Sequence, residues 1–259
     1  MSDDRVALVT GGGSGLGAAT ARALARGGAK VAVLGRTRED LETVASDVRA
    51  TGTEAMVLVA DIADDQAMKQ VFADIAEEWG RLDVVFANAG INGVWAPLDD
   101  LDPDEWRQTI DVNLNGTFFT IKYAVPYLER QGGSVIVTSS VNGTRMFSNT
   151  GATAYACTKA AQVAMVKMLA LELAKHRIRV NVICPGAIES DIEENTDRQN
   201  VEEEREPVVY PEGEIPLTDG VPGMAEDVAE LVAFLASDAS KHITGTEVWI
   251  DGGQSLLQG

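Results

Sequence analysis

A short apolar run that ends in a glycine-rich turn constrains the fold of this chain more than any other feature. Residues 6–10 are apolar up to Thr10, and five of the next seven residues are glycine. Glycine permits positive φ and lets the backbone approach a phosphate closely. An alanine-rich helical segment follows, and a helix N-terminus stabilises a bound anion. The turn therefore predicts the first strand, phosphate loop and helix of a dinucleotide-binding sheet.

The rest of the chain alternates short apolar runs with segments of helical periodicity. This alternation is typical of a parallel sheet covered by helices on both faces. We predict strands at residues 6–10, 30–34, 56–60, 82–87, 134–139, 178–184 and 247–250. We predict helices at residues 15–27, 38–50, 68–79, 155–175 and 224–236, and a long helix after Pro103 that Pro126 kinks near its end. The expected fold class is α/β, a doubly wound parallel sheet of Rossmann type with about seven strands, in one domain spanning residues 1–259.

The net charge of −19 is unevenly distributed along the 259 residues. Residues 189–230 hold 15 of the 40 acidic residues and 2 of the 21 basic ones, so this segment alone carries −13. Nucleic-acid binding requires a basic face and is disfavoured. Residues 188–223 show little periodicity, and we expect either an acidic lid over a substrate or a solvated, flexible loop there.

Neither export nor membrane insertion is expected. No run of 18 apolar residues occurs, and the acidic N-terminus leads directly into a strand, unlike a signal peptide. Cys157 and Cys184 are therefore expected to be reduced thiols in a cytoplasmic protein. We expect Cys157 to be a small packing residue on its helix and not a nucleophile, because no histidine lies near it in sequence. No metal site is predicted.

Tyr155 and Lys159 form a Tyr-x-x-x-Lys pair, and Ser140 lies fifteen residues before the tyrosine. Four residues rise about 6 Å along a helix, so the pair shares one face. A free tyrosine has a pKa of about 10, and lowering it by about 3 units requires about 4 kcal/mol. Lys159 alone is not expected to supply that stabilisation, and the positive ring of an oxidised nicotinamide would be a second contributor.

These motifs, taken in order, resemble the short-chain dehydrogenase/reductase family in its compact branch, over nearly the whole chain. The resemblance implies hydride exchange between a nicotinamide cofactor and a secondary alcohol or ketone. The motifs that carry it are residues 10–17, Asp61-Ile62, Asn88-Ala89-Gly90, Asn113, Ser140, Tyr155/Lys159, Pro185-Gly186 and Asp251-Gly252-Gly253.

The resemblance also implies the role of each site residue. Tyr155 would be the acid/base, Ser140 would bind the substrate oxygen, Lys159 would lower the tyrosine pKa and hold the nicotinamide ribose, and Asn113 would hold a water in a proton relay. Ser139 and Asn115 are the competing residues. The implied cofactor contacts are Gly11, Gly13, Ser14, Gly15, Leu16 and Gly17 at the phosphates, Asp61 and Ile62 at the adenine, Asn88, Ala89 and Gly90 at the ribose, and Pro185, Gly186, Ile188 and Ser190 near the nicotinamide, besides Tyr155 and Lys159.

The end of the second predicted strand favours NADP over NAD. NAD would require an acidic residue there to bind a ribose 2′-hydroxyl, but the chain has Arg36 and Thr37. A guanidinium can pair bidentately with a 2′-phosphate. Arg36 could instead be solvated or stack on the adenine of NAD, and Ser14 replaces the basic residue that NADP-dependent relatives have at that position.

The substrate is expected to be a free, neutral or cationic ketone or alcohol of modest size. Candidate pocket residues are 91–95, 141–147 and 208–210, and a mere core-packing role is equally open for them. Relatives that reduce 3-oxoacyl groups bind an acidic carrier protein, which the acidic segment should repel, although Arg130, Lys175 and Arg177 could form a small dock. Two further alternatives are a nicotinamide-sensing regulator and an epimerase or dehydratase of nucleotide-sugars. Family members are commonly tetramers, so a homotetramer is expected.

Overall fold

The computed structural model describes residues 5–189, 196–202, 204 and 215–258. Its strands are β1 (Val6–Thr10), β2 (Lys30–Gly35), β3 (Ala55–Val59), β4 (Val84–Ala87), β5 (Val94–Trp95), β6 (Gly133–Thr138), β7 (Ile178–Pro185), β8 (Asp197–Arg198) and β9 (Glu247–Ile250). Its α-helices are α1 (Gly15–Arg26), α2 (Arg38–Ala50), α3 (Asp65–Trp79), α4 (Pro103–Ile110), α5 (Gly116–Leu128), α6 (Thr153–Leu173), α7 (Ala225–Ala236) and α8 (Gln254–Gln258).

Seven strands form one parallel sheet in the order β3-β2-β1-β4-β6-β7-β9. The chain builds outward from β1 in one direction to β3, then crosses to β4 and builds in the other direction. β1 is buried along its whole length, as expected for a parallel strand with both faces covered. The predicted seven-stranded, doubly wound Rossmann-type sheet is confirmed.

Alternate residues of β1 point into two separate cores. Val6 and Leu8 belong to one core, which includes Phe72 of α3, Ile121 of α5 and Val166 of α6. Their neighbours Ala7 and Val9 belong to the other core, which packs against α1, α2 and α7. The period-two alternation of a strand thus supplies an apolar side chain to each helical layer.

The long helix predicted after Pro103 extends to Leu128, but its middle is not α-helical. Residues Asp111–Asn115 form a π-helical turn between α4 and α5, in which the Gly116 N–H donates to the Asp111 carbonyl. Such turns hold one extra residue and occur frequently at functional sites. Pro126 lies inside α5, which continues for two more residues.

The acidic segment contains ordered structure that its composition did not predict. β8 pairs with β5, and the Gln199 N–H donates to the Trp95 carbonyl at 2.9 Å. Val201 packs with Trp95 and Ala152. At the segment's two ends, the Glu189 N–H donates to the Gly223 carbonyl at 2.8 Å. The predicted pocket residues 208–210 and Ser190 lie outside the described residues.

The expectation that Cys157 is a packing residue on its helix is wrong. Cys157 is exposed, whereas Cys184 is buried. Two residues along a helix turn by about 200°, so the inward orientation of Tyr155 directs Cys157 outward. Among the described residues, no helix is long and apolar enough to cross a membrane, and within the same ranges no cluster of potential metal ligands occurs.

Candidate active site

The carboxyl ends of β1, β4, β6 and β7 carry the glycine-rich turn, Asn88-Ala89-Gly90, Ser140 and Pro185-Gly186. These strands are neighbours in the sheet, and the chain changes direction between β1 and β4. A crevice at the carboxyl ends beside such a reversal is where ligands bind in open α/β sheets. The glycine-rich turn after β1 and the Asn88-Ala89-Gly90 turn after β4 lie on the two sides of that reversal.

The glycine-rich turn is built to bring backbone close to backbone. Gly11 and Gly15 have positive φ, at 64° and 48°. A Cβ on Gly17 would lie 2.0 Å from the Gly11 carbonyl oxygen, so no other residue fits without displacing the turn. Ser14 precedes α1, and its side chain makes no capping hydrogen bond to the helix. The turn and the N-terminus of α1 therefore fit the pyrophosphate of a dinucleotide.

Thr10 links the ends of β1 and β4, a role that the sequence analysis did not assign. Its Oγ1 accepts the N–H groups of Asn88 and Ala89, each at 3.0 Å. The Asn88 side chain returns a bond to the Thr10 carbonyl at 3.2 Å and accepts from Thr138 of β6 at 3.0 Å. Three strand ends are thus held by side-chain bonds, which fixes the turn that contains Ala89 and Gly90.

Asn113 pins the next residue of that turn from the π-helical segment. Its Oδ1 accepts the Ile91 N–H and its Nδ2 donates to the Ile91 carbonyl, both at 2.8 Å. Nδ2 also lies 3.2 Å from Thr158 Oγ1 on α6. Asn115 bonds instead to Asp111 at an exposed position. Asn113, and not its competitor Asn115, therefore connects the β4 turn with the helix that carries Tyr155 and Lys159.

Ser140 and Tyr155 meet in a largely buried pair. The Ser140 hydroxyl accepts the Asn142 N–H at 3.1 Å, and its proximity to the Tyr155 hydroxyl favours the ionised form of the tyrosine. The competing Ser139 donates instead to the Lys159 carbonyl at 2.8 Å. Of the two serines, Ser140 is therefore the one that acts on the tyrosine hydroxyl.

Burial shifts the pKa of both members of the Tyr155/Lys159 pair. It raises the pKa of Tyr155 to about 12, against the lowering effect of the nearby Ser140 hydroxyl. It lowers the pKa of Lys159 to about 8. Lys159 Nζ donates to the Thr138 carbonyl at 2.8 Å and lies 5.4 Å from the tyrosine ring centroid. The protein alone therefore keeps the phenol protonated, in agreement with the expectation that the lysine cannot ionise it unaided.

At the adenosine end, β2 terminates in residues that are open to solvent. Arg36 is exposed, and no ion pair of its side chain occurs among the described residues, whereas Arg38 lies 3.6 Å from Glu42. Thr37 precedes α2. Ile62 is buried, while the carboxylate of the neighbouring Asp61 accepts the Ala63 N–H.

At the other end, Pro185 closes β7 and Gly186 packs against the C-terminal motif. A Cβ on Gly186 would lie 2.6 Å from Asp251 Cβ. The Ala187 N–H donates to Gln254 Oε1 at 2.9 Å, and Ile188 forms a backbone bridge with Gly223. The strand end that should face a nicotinamide is thus held by the residues that follow β9.

The loop after Ser140 is anchored on β9. The Arg145 guanidinium stacks 3.5 Å from the Trp249 ring centroid. Met146 is buried, while Phe147 is 77% exposed. Both line an apolar cavity of about 270 Å³ between this loop and the outer face of α6, and its lining includes neither Ser140 nor Tyr155.

Comparison with known proteins decides the family. A family model described as enoyl-(acyl carrier protein) reductase matches residues 11–255. Levodione reductase of Leifsonia aquatica is 38% identical over 256 residues, which cover 97% of this chain and 94% of that protein. The chain belongs to the short-chain dehydrogenase/reductase family. It is thus an NAD(P)-dependent oxidoreductase that transfers a hydride between the nicotinamide and a secondary alcohol or ketone.

Solved structures with the same fold give the same assignment. A 3-ketoacyl-ACP reductase from Sinorhizobium meliloti 1021 superposes with a TM-score of 0.93 at 56% identity, covering 97% of this chain and 99% of that one. Carveol dehydrogenase from Mycobacterium avium, in complex with NAD, is 28% identical with a TM-score of 0.84, and 97% and 98% of the two chains are covered. A Burkholderia cenocepacia J2315 short chain dehydrogenase in complex with NADP is 32% identical, with the same TM-score and coverage. A nicotinamide cofactor is therefore supported.

Proposed function

We propose that this enzyme is an NADP-dependent reductase or dehydrogenase of a free, neutral or cationic ketone or secondary alcohol of modest size. The observation that carries the proposal is that the buried side chains of Ser140 and Tyr155 lie together beside Lys159, at the carboxyl edge of the sheet. A ketone oxygen placed against both hydroxyls would meet a proton donor and a second hydrogen-bond donor at once.

In this proposal the nicotinamide, when bound, supplies or accepts the hydride, and the protein manages the proton. Tyr155 donates its hydroxyl proton to the substrate oxygen during reduction and takes it back during oxidation. Ser140 stabilises the charge that develops on that oxygen, and the Asn142 N–H fixes the serine oxygen in place. Lys159 favours the phenolate and holds the nicotinamide ribose, and Asn113 takes part in a proton relay behind the lysine.

The proposed cofactor contacts follow the sequence motifs. The phosphates are contacted by Gly11, Gly13, Ser14, Gly15, Leu16 and Gly17, and the adenine is contacted by Asp61 and Ile62. The ribose is contacted by Asn88, Ala89 and Gly90, and the nicotinamide is contacted by Pro185, Gly186, Ile188 and Ser190. The tight approach at Gly17 and the buried position of Ile62 support these assignments.

The preference for NADP rests on Arg36 and Thr37. Arg36 is exposed at the end of β2, where a 2′-phosphate would lie, and is free to pair with it. Replacing Arg36 with aspartate should reverse the preference, because a carboxylate repels the phosphate and accepts a bond from a 2′-hydroxyl. The ratio of kcat/KM for NADP to that for NAD measures this, with Arg38→Asp as the matched control.

The preference for an uncharged or cationic substrate rests on the acidic surface beside β5 and β8. A cavity of about 500 Å³ is lined there by Asp99, Asp100, Glu202 and Glu204, with Arg198 as its basic residue. This charge would repel an anionic substrate or carrier protein at low salt. Weak salt dependence of kcat/KM for an anionic ketone would contradict this preference.

A second candidate function is reduction of 3-oxoacyl thioesters on an acyl carrier protein. The similarity to the Sinorhizobium meliloti 3-ketoacyl-ACP reductase favours it. The two candidates are discriminated by measuring kcat/KM for three substrates. These are a 3-oxoacyl group on carrier protein, the same group on a short thioester, and a free ketone. A kcat/KM for the carrier-bound group that exceeds the other two at physiological salt would replace the free-ketone proposal.

The proposed organisation is one Rossmann-type domain whose residues 188–223 form an acidic lid. The β5–β8 pairing supports a lid that docks on the residues after β4. We also propose that the enzyme is cytoplasmic and that it forms a homotetramer. Sedimentation equilibrium of the purified enzyme would test the tetramer.

The experiment that tests the activity is reduced-nicotinamide absorbance with a panel of ketones and alcohols, run with NADP and NAD in parallel. Tyr155→Phe should retain the fold and cofactor binding but lose nearly all turnover, at least about a thousandfold. Substantial turnover by that variant would refute the role of Tyr155.

A further inference from the structure

Gln162 is a buried amide on α6 that no sequence motif includes. It is 1% exposed and lies three residues after Lys159, so the two side chains share a helix face. Its Nε2 donates to the Asn113 carbonyl at 2.8 Å and to Thr117 Oγ1 at 2.9 Å. The amide therefore contacts the backbone of the π-helical turn itself.

The neighbours of Gln162 fix the orientation of its amide group. The Thr117 hydroxyl donates to the Asn113 carbonyl at 2.7 Å, so its oxygen presents a lone pair to Gln162. If Nε2 and Oε1 exchanged places, Oε1 would face two other acceptors, the Asn113 carbonyl oxygen and the Thr117 hydroxyl oxygen. Oε1 thus faces away from both groups, and it is buried without a hydrogen-bond partner among the described residues.

Asn113 has little capacity left to hold a water of its own. Its side-chain oxygen accepts the Ile91 N–H, and its amide nitrogen bonds to Ile91 and Thr158. Its carbonyl accepts from both Gln162 and Thr117. Within the part of the chain that is described, Gln162 Oε1 is therefore the acceptor of this cluster that carries no hydrogen bond. A buried carbonyl oxygen is destabilising unless a donor reaches it, and buried waters supply such bonds.

We propose that Gln162 is a positioning residue of the reductase reaction, an inference that rests on the proposed function. Its amide nitrogen donates to the Asn113 carbonyl in the π-helical turn and to the Thr117 hydroxyl, and its Oε1 accepts a hydrogen bond from a water beside Lys159. When Tyr155 has given its proton to the substrate oxygen, Lys159 returns a proton to the phenolate. The water then returns one to Lys159, so each turnover takes one proton from solvent.

Two substitutions around the same carbonyl separate this role from a structural one. Gln162→Met keeps the length of the side chain but removes both the donor and the acceptor. Thr117→Val removes a donor to the same carbonyl and leaves Gln162 Oε1 in place. We expect Gln162→Met to lower kcat for ketone reduction about tenfold at an unchanged KM. The deficit should grow as pH rises, because solvent protons become scarcer, and Thr117→Val should lower kcat less and equally at every pH.

A structure of the cofactor-free enzyme provides a readout that needs no turnover. A high-resolution crystal structure should show a water within hydrogen-bond distance of Gln162 Oε1 that is lost in Gln162→Met. The inference is overturned if that water is absent, if Gln162→Met keeps the wild-type kcat and pH profile, or if both variants lose activity alike. Failure of the wild-type enzyme to reduce any ketone would instead refute the proposed function. The presence or absence of the water would then still test the role of Gln162 by itself.

Discussion

Replacing Lys159 with methionine should stabilise the cofactor-free protein while it abolishes activity. The side chain is 3% exposed, and burial lowers its pKa from 10.5 to about 8. At about 1.36 kcal/mol for each pKa unit, the buried ammonium costs the folded state about 3 kcal/mol near neutral pH. Losing the bond from Nζ to the Thr138 carbonyl offsets about 1 kcal/mol of this. The net gain at pH 7 is therefore about 2 kcal/mol, or about 4 to 8 °C in Tm.

The pH dependence of this gain follows from the sign of the pKa change. Between about pH 8 and pH 10.5 the unfolded chain binds the lysine proton and the folded protein does not, so wild-type stability rises with pH over that window. Below pH 8 both states are protonated and the cost of the buried ammonium stays constant. Above pH 10.5 both states are neutral, so the variant should become about 1 kcal/mol less stable than wild type.

Equilibrium urea unfolding at pH 7, 9 and 10.5 measures the difference. Lys167→Met is the matched control, because Lys167 lies on the same helix, is half exposed and pairs with Glu247. An exposed pair contributes at most about 1 kcal/mol, so the control should gain nothing at pH 7. A stability difference between Lys159→Met and wild type that does not change with pH would refute the reasoning.

Three further predictions concern the tyrosine and two glycines. In the cofactor-free protein Tyr155 should stay protonated to about pH 12, because burial raises its pKa, and oxidised nicotinamide should lower that pKa; the ultraviolet difference spectrum against Tyr155→Phe checks this, and a phenolate at pH 9 without cofactor would contradict it. Gly17→Ala puts a Cβ 2.0 Å from the Gly11 carbonyl oxygen and should weaken cofactor binding at least about a hundredfold. Fluorescence titration measures the affinity, and an unchanged value would contradict the proposal that this turn binds the cofactor phosphates. Gly151 has a φ of 82°, and an added Cβ would lie 2.7 Å from Val201. Gly151→Ala should therefore displace the segment around Val201 and raise KM more than it lowers kcat. An unchanged KM would show that this segment does not contribute to substrate binding.

The strand and helix pattern of this fold could be predicted from the sequence because it depends on local periodicity. All seven sheet strands and the helices that cover them lie where apolar runs and 3.6-residue periods placed them. The π-helical turn at Asp111–Asn115 was missed, since one extra residue leaves the apolar pattern on either side intact. The β5–β8 pair was also missed, because two-residue strands joined across about a hundred residues leave no local signal.

The candidate site was predictable where a motif combined residue type with spacing. Ser140, Tyr155 and Lys159 lie together as expected. The bridging roles of Thr10 and Gln162 could not be predicted this way, because they depend on hydrogen bonds to residues about fifty or more positions away. Cys157 was misplaced, although the helical rotation of about 200° from Tyr155 already indicated an outward position.

The extra residue in the π-helical turn sets the rotation of everything that follows it in the helix. Each residue turns an α-helix by about 100°, so a one-residue deletion within residues 111–115 would restore regular α-helical geometry and rotate α5 by that angle relative to α4. Ile121 and Ala124, which now face the sheet, would turn toward solvent or a neighbouring helix, and Lys122 would turn toward the core. The turn that presents the Asn113 carbonyl to Gln162 is therefore also the element that keeps the apolar face of α5 in phase with the sheet.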